Sequence, residues 1–291
     1  MSGALHMFAM MAGSGRGDSL IAVAHHDFPF ISVYPWSNGY GPKYVDPATP
    51  VDFGMNSVTF SSSGGELVAT RYNAPYIVAY SWENGFGTRY ADPAEPLDGS
   101  AFSASFHPSG NALAVGIYGS PCVRAYAWTN GFGTKYADPA SPVNGFGYDV
   151  AFSSTGNNVA VGHSDFPYLS TYSWSNGFGT RYADPATPPT GGVGDISFHP
   201  TGNAVAAGYE VAPFLSVYPW SNGFGTRFAD PATPPTSAVA DAAFSLTGNT
   251  LAAVHSNPPY LSVYPWSSGF GAKFSNPETP ISGYGIAVAF N

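Results

Sequence analysis

Charge is scarce in this chain. Asp, Glu, Lys and Arg make up only 9% of its 291 residues, where about 25% is usual for a soluble domain. Nine basic residues stand against 18 acidic ones, giving a net charge of −9. Binding a phosphate backbone needs a one-sided basic surface, so no nucleic-acid partner is expected. Cysteine is nearly absent too: Cys122 is alone, which rules out an internal disulfide and any zinc site built from several thiolates. It takes the place that other copies of the repeat described below give to Phe30, Tyr76, Tyr168, Phe214 and Tyr260, and is read as a packed strand residue. Long apolar runs are missing. The stretch Met7 to Met11 is too short to span a bilayer, and the start Met1-Ser-Gly-Ala-Leu-His lacks the basic segment of a signal peptide. Synthesis in a cytoplasm without signal-directed export, and without membrane insertion, is the expectation.

Catalytic motifs are also missing. No His-Glu-x-x-His or Gly-x-Ser-x-Gly arrangement occurs, and Gly13-Ser-Gly-Arg-Gly17 is not followed by the Lys-Ser/Thr of a phosphate loop. Arg16-Gly17-Asp18 spells an adhesion tripeptide, which a glycine-rich turn contains by chance. No enzyme and no cofactor are expected.

Aromatics, glycine and proline are abundant, and they are periodic. The six tryptophans, Trp36, Trp82, Trp128, Trp174, Trp220 and Trp266, lie 46 residues apart. So regular a period means a repeat architecture. Within one unit, Leu169-Ser-Thr-Tyr-Ser-Trp174 alternates side chains as a strand does. Ser175-Asn-Gly-Phe-Gly179 is a turn, Thr180-Arg-Tyr-Ala183 resumes an extended run, and Asp184-Pro-Ala-Thr-Pro-Pro189 ends it. Ile196-Ser-Phe198 and Ala204-Val-Ala-Ala207 flank a further turn, His199-Pro-Thr-Gly-Asn203. His107 and His199 are read as turn residues. Each unit thus holds four short strands and no helix, the pattern of a β-propeller blade.

The expected fold is an all-β, six-bladed β-propeller of four-stranded blades. Residues 1–11 are an N-terminal extension, and residues 12–291 form a single propeller. Ala12-Gly-Ser-Gly-Arg-Gly-Asp-Ser19 shows no strand pattern where the first blade needs its inner strand. Gly285-Ile-Ala-Val-Ala-Phe290-Asn291 begins a seventh unit with nothing after it. The C-terminal strand is therefore expected to pair into the first blade and close the ring, removing the exposed sheet edge of an open array.

The six copies can be compared with one another. The Trp-Ser-Asn-Gly-Phe-Gly and Gly-Asn turns hardly change. The two other connectors change in every copy: that between the second and third strands (His25-His-Asp-Phe28, Arg71-Tyr-Asn-Ala74, Ile117-Tyr-Gly-Ser120, His163-Ser-Asp-Phe166, Tyr209-Glu-Val-Ala212, His255-Ser-Asn-Pro258) and that before the innermost strand. In an antiparallel blade both variable connectors emerge on one face, and their aromatic, histidine and arginine residues suit recognition. Binding residues are expected at His25, His26, Arg71, Tyr72, Tyr118, Tyr209 and Glu210. Lys43, Arg89, Lys135, Arg181, Arg227 and Lys273 share one repeat position, with Asp46, Asp92, Asp138, Asp184, Asp230 and then Asn276 three residues on. These are read as local pairs. Asp149, Asp195 and Asp241 occupy one position just before the innermost strand. Converging carboxylates suit a hard cation, which makes them weak metal candidates; hydrogen-bonded turn aspartates are the simpler reading, and no metal site is expected.

The order of pieces, a strand ending in Phe-Ser-x-x-Gly-Asn, a second strand, a third carrying the Trp and a fourth outer strand, resembles the WD40 family over nearly the whole chain. The Gly-His pair that usually opens such a repeat is missing, and Ser37, Glu83 and Thr129 stand where that family favours Asp. The wording Pro-Tyr-Leu-Ser-Val-Tyr-Pro-Trp-Ser-Asn-Gly-Phe-Gly-Thr, with Asp-Pro-Ala-Thr-Pro, looks like the WD40-like propellers encoded among structural genes of tailed bacteriophages. That resemblance implies a virion component, at the tail or on the capsid exterior, whose partners are other virion proteins or a host-surface receptor. A glycan-binding propeller, stacking sugars on aromatic rings, is the alternative.

Overall fold

In the computed structural model, residues 9–11, 19–25, 28–36, 41–52, 54–278, 281 and 288 are described. They form six antiparallel sheets, each a simple meander. The first contains β1 (Ala9–Met11), β2 (Ser19–Ala24) and β3 (Ile31–Trp36). The second contains β4 (Met55–Phe60), β5 (Glu66–Arg71), β6 (Ile77–Trp82) and β7 (Phe86–Arg89). The third runs β8 (Ala101–Phe106), β9 (Ala112–Ile117), β10 (Val123–Trp128) and β11 (Phe132–Lys135). The fourth runs β12 (Gly147–Phe152), β13 (Asn158–His163), β14 (Leu169–Trp174) and β15 (Phe178–Arg181). The fifth holds β16 (Val193–Phe198), β17 (Ala204–Tyr209) and β18 (Leu215–Pro219), and the sixth β19 (Val239–Phe244), β20 (Thr250–His255) and β21 (Leu261–Pro265).

Among the described residues, four full strands stand in the second, third and fourth sheets. The other three sheets carry proline before the tryptophan, Pro35, Pro219 and Pro265, where the complete ones have Ser81, Ala127 and Ser173. Proline contributes no N–H at that place and unsettles the ladder. In the last two sheets the outer segment still bridges Trp220 to Phe224 and Trp266 to Phe270, and it keeps the bonds Gly225 N–H to Pro219 O, Phe228 N–H to Val217 O, Gly271 N–H to Pro265 O and Phe274 N–H to Val263 O at 2.8–3.0 Å.

Alternation along the strands explains how the sheets stack. In β9, Leu113, Val115 and Ile117 pack with the second sheet, whereas Ala112 and Ala114 face the fourth. Side chains of a strand point to opposite faces in turn, so each sheet offers a bulky face to its predecessor and a small-residue face to its successor. Five such cores join the six sheets in order. Each tryptophan from Trp82 onward sits at the centre of one. Trp174 meets Tyr136 of the preceding repeat, Phe152 and Phe178, edge-on at centroid distances of 5.1–5.2 Å. Truncating a side chain so placed costs about 3–5 kcal/mol.

Polar staples repeat alongside. The hydroxyls of Tyr80, Tyr126, Tyr172, Tyr218 and Tyr264 donate to the carbonyls of Thr49, Glu95, Ser141, Thr187 and Thr233 at 2.8–3.0 Å. Every one of those carbonyls belongs to the Asp-Pro-Ala-x-Pro segment of the preceding unit, which accounts for the constancy of that segment. The charges beside it are local pairs: Arg89–Asp92 and Arg181–Asp184 at 2.6 Å, Lys135–Asp138 at 3.1 Å, Arg227–Asp230 at 3.3 Å, and Lys43 on Asp46. His107 and His199 stand in turns, as the spacing implied, but they also link sheets. Their Nε2 atoms lie 3.1 and 2.9 Å from the carbonyls of Gly156 and Gly248, one repeat further on. Cys122 is buried among Val123, Val150 and Val161. It precedes β10 in a turn with φ of +53° after the cis Ser120–Pro121 bond, so it is not a strand residue.

The inner edge of β2 takes Ala9–Met11, with Met10 opposite Ile21. The extension expected to lie outside the repeat thus supplies a strand to the first sheet. That is the edge on which the C-terminal strand was expected, so the first sheet's inner strand comes from the N-terminal extension instead; any pairing of the C-terminal segment with the first sheet lies outside the described residues. Val288 is described, and its backbone N–H donates to Asp241 Oδ2 at 2.6 Å.

Candidate binding face

The variable connectors come together at one end of the sheets. The connector after β9 bonds to the lead-in of its own inner strand (Tyr118 N–H to Ser100 O, 2.8 Å) and to that of the next sheet (Gly119 N–H to Gly145 O, 3.0 Å). The constant turns, between inner and second strands and between third and outer strands, lie at the opposite end.

Three of the expected binding residues are structural. Arg71 is only 3% exposed; its Nε donates to Asn73 O at 2.9 Å and its Nη1 to Asp52 Oδ1 at 2.7 Å. Tyr209 is fully buried, with its hydroxyl 2.6 Å from Ser216 Oγ. His25 Nε2 lies 3.0 Å from Ser32 Oγ. All occupy one repeat position, at or just past the end of the second strand; His25 and Tyr209 bond to the residue seven further on, whereas Arg71, with Val78 there, is held by Asp52, Asn73 and Ala74. His163 pairs with Ser170 at 3.0 Å and His255 with Ser262 at 3.1 Å. Ile117 needs no polar partner and faces Arg124, which turns to Asp98 at 2.9 Å. Variation here is hairpin packing rather than recognition. Burial holds the His163 imidazole down to about 4. His26 lies outside the described residues.

Tyr72, Tyr118 and Glu210 do reach the surface. Tyr72 is 42% and Tyr118 55% exposed, and both join an aromatic cluster that sequence reasoning missed. Tyr72 meets Phe102 edge-on at 5.6 Å, Phe102 meets Tyr148 at 5.8 Å, Tyr148 meets Phe146 at 5.9 Å, and Phe146 lies against Tyr118 at 4.6 Å. Five rings from three consecutive sheets form one half-exposed patch. Phe102 and Tyr148 are aimed there by β-bulges. In each of five inner strands one residue is skipped by the pairing: Asn56, Phe102, Tyr148, Gly194 and Ala240. A bulge re-aims the extra side chain at a sheet's end. The same backbone device therefore presents two large rings on one side and two small residues on the other. The Tyr148 ring reaches over to Gly192, where an added Cβ would lie 3.4 Å from it. Burial raises the Tyr148 phenol, and the carboxylates of Glu210 and Asp165 raise it further.

Asp149, Asp195 and Asp241 follow the bulge on their inner strands; they are strand residues, not turn residues. Their Oδ2 atoms accept the amides of Ile196, Ala242 and Val288, at 2.8, 2.8 and 2.6 Å, each on the segment one repeat later. Ser103 donates to Asp149 Oδ1 at 2.5 Å. The series is an inter-sheet clasp. Asp195 is pushed well above the usual carboxylate range by burial, then by the charges of Asp241 and Asp149. Among the described residues no three His, Cys, Asp or Glu side chains are grouped to hold a metal ion.

Five of the six tryptophans, Trp82, Trp128, Trp174, Trp220 and Trp266, are buried and offer no stacking platform, while Trp36 is half-buried. No family model matches this chain, and no curated protein matches it either.

Proposed function

We propose that the six sheets close into a six-bladed β-propeller and that this propeller is a non-enzymatic component of a tailed-phage particle, tail-associated or capsid-exterior. Its variable face contacts another virion protein or the host surface. The observation carrying the contact is the half-exposed cluster Tyr72, Phe102, Tyr118, Phe146 and Tyr148. Aromatic side chains left half-exposed outside the sheet-to-sheet cores concentrate binding energy when a partner covers them. The virion setting rests on the likeness of the repeat wording to propellers encoded among phage structural genes. Closure is supported by five sheet-to-sheet cores in unbroken order and by Val288, which takes the same bond from Asp241 that Ile196 and Ala242 take from their aspartates.

The test is mass spectrometry of gradient-purified particles from a phage whose genome encodes the chain, which should contain the protein at a fixed copy number. Its absence from infectious particles would end the virion reading. Because Ala9–Met11 hold the inner edge of β2, closure is tested by deleting residues 1–11 and 285–291 singly and together; loss of both should cause aggregation or a large fall in melting temperature, and a doubly truncated protein melting like the full one would refute closure.

A further inference from the structure

We infer that the aromatic cluster receives a Lys- or Arg-bearing segment of a protein partner, with the cation over the Tyr148 ring and between Asp165 and Glu210. The inference rests on the reading of the variable face as the contact surface and names what it contacts. Its first ground is charge. All eight described Lys and Arg side chains are already engaged: seven in ion pairs with aspartates and Lys273 with Asn276. At the patch itself, Asp165 and Glu210 are exposed, and neither takes part in an ion pair among the described residues. Asp165 lies against Gly145, next to Phe146, where an added Cβ would be 2.6 Å from its Oδ1, and the Gly191–Gly192 segment touches both Val211, next to Glu210, and the Tyr148 ring; both carboxylates raise the Tyr148 phenol.

The second ground is ring chemistry. The face of an aromatic ring attracts a cation, and an ammonium or guanidinium group is held best where carboxylates flank the ring. Phe102, Phe146 and Tyr118 extend the apolar floor, suited to the methylene stem of a long basic side chain, which buries its carbons while its head stays polar. An acidic partner would meet two carboxylates without an ion pair, Asp165 accepting only the Ser164 hydroxyl, and no available Lys or Arg among the described residues. An uncharged glycan would leave both carboxylates without a counter-charge.

The experiment uses the full-length chain and fluorescence anisotropy of a labelled Lys/Arg-rich hexapeptide, with a Glu-rich hexapeptide and a neutral oligosaccharide as comparison probes. Saturable binding of the basic peptide alone is expected, weakening with added salt. Asp165→Asn with Glu210→Gln should weaken it about tenfold, and Tyr148→Ala with Phe102→Ala about tenfold or more. Both aromatic replacements copy Ala240 of the sixth unit. Glu83→Gln with Glu95→Gln removes the same net charge elsewhere and should change binding less than about twofold. Equal loss in the two charge-neutralised proteins would reduce the effect to net charge and overturn the inference, as would preference for the oligosaccharide or no binding by the basic peptide. If the peptide fails while the aromatic variant is lost from particles, the basic partner is wrong and the contact face stands; if the variant still assembles and infects, the face itself is wrong.

Discussion

Replacing Asp195 by asparagine should stabilise this protein, and more strongly as the pH rises. Asp195 sits in the inter-sheet clasp, half-buried, with its Oδ2 on the Ala242 amide at 2.8 Å and Asp241 beside it. Its folded-state carboxyl is pushed well above the ordinary 3.8 by burial and then by the charges of Asp241 and Asp149. Above pH 3.8 the unfolded chain releases this proton while the native protein keeps it, so the native state binds more protons. Stability therefore falls with rising pH until the native carboxyl also ionises. One proton of difference corresponds to about 1.4 kcal/mol per pH unit, or about 2–3 °C in melting temperature per unit for a chain of this length. Asparagine keeps the acceptor for Ala242 N–H, adds a donor toward Asp241 and has no charge to desolvate. The buried histidines pull the opposite way at acid pH, so the informative quantity is the difference in melting temperature between Asp195→Asn and the parent, measured by calorimetry from pH 4 to 8. That difference should grow with pH and then level off. A constant difference, or destabilisation at every pH, would refute the reasoning.

Further outcomes follow from the repeated staples. Tyr172→Phe removes the donor to Ser141 O, 3.0 Å away, and should cost about 1 kcal/mol in chemical denaturation. Gly156→Ala places a methyl group on the His107 imidazole at a residue with φ of +74°, whereas Gly64→Ala, at +69°, meets nothing within 4 Å. The first should cost about 2–3 kcal/mol and the second about 1 kcal/mol; equal costs would dismiss the His107 link. The His163 imidazole, held at about 4 against an ordinary 6.5, should keep its neutral NMR shifts from pH 8 to about 5. The native state then stays neutral while the unfolded chain gains a proton below pH 6.5, so stability falls on acidification by at most about 1.4 kcal/mol per pH unit.

Much of the fold was legible because strand alternation and turn chemistry are local and the period of 46 is written six times. The reduction of the outer strands beside Pro219 and Pro265 was equally readable in principle, since proline's missing N–H is a sequence fact. The binding face was only half legible. Comparing copies located the variable connectors, but sequence variation cannot separate an exposed residue from a buried one compensated seven residues later. Tyr209 is buried against Ser216 in that way, and Arg71 is buried against Asp52, nineteen residues earlier. The signal for the i and i+7 pairing was present in His163 with Ser170, Tyr209 with Ser216 and His255 with Ser262. Phe102 and Tyr148 were missed because a β-bulge leaves no mark in residue order; only the column Asn56, Phe102, Tyr148, Gly194, Ala240 hints at it, through its change from large to small.

The most direct test sets the two faces against each other. A variable-face protein would carry Tyr72→Ser, Phe102→Ala, Tyr118→Ser and Tyr148→Ala, and an opposite-face protein Glu83→Ser, Asn130→Ser, Asn176→Ser and Leu246→Ser. Every replacement is one that another copy of the repeat already holds, so both proteins should melt within about 4 °C of the parent. Incorporation of each into particles, measured by quantitative mass spectrometry beside infectivity, should fall at least about tenfold for the variable-face protein and stay near the parent for the other. Normal incorporation of the variable-face protein, with loss of the opposite-face one, would contradict the assignment.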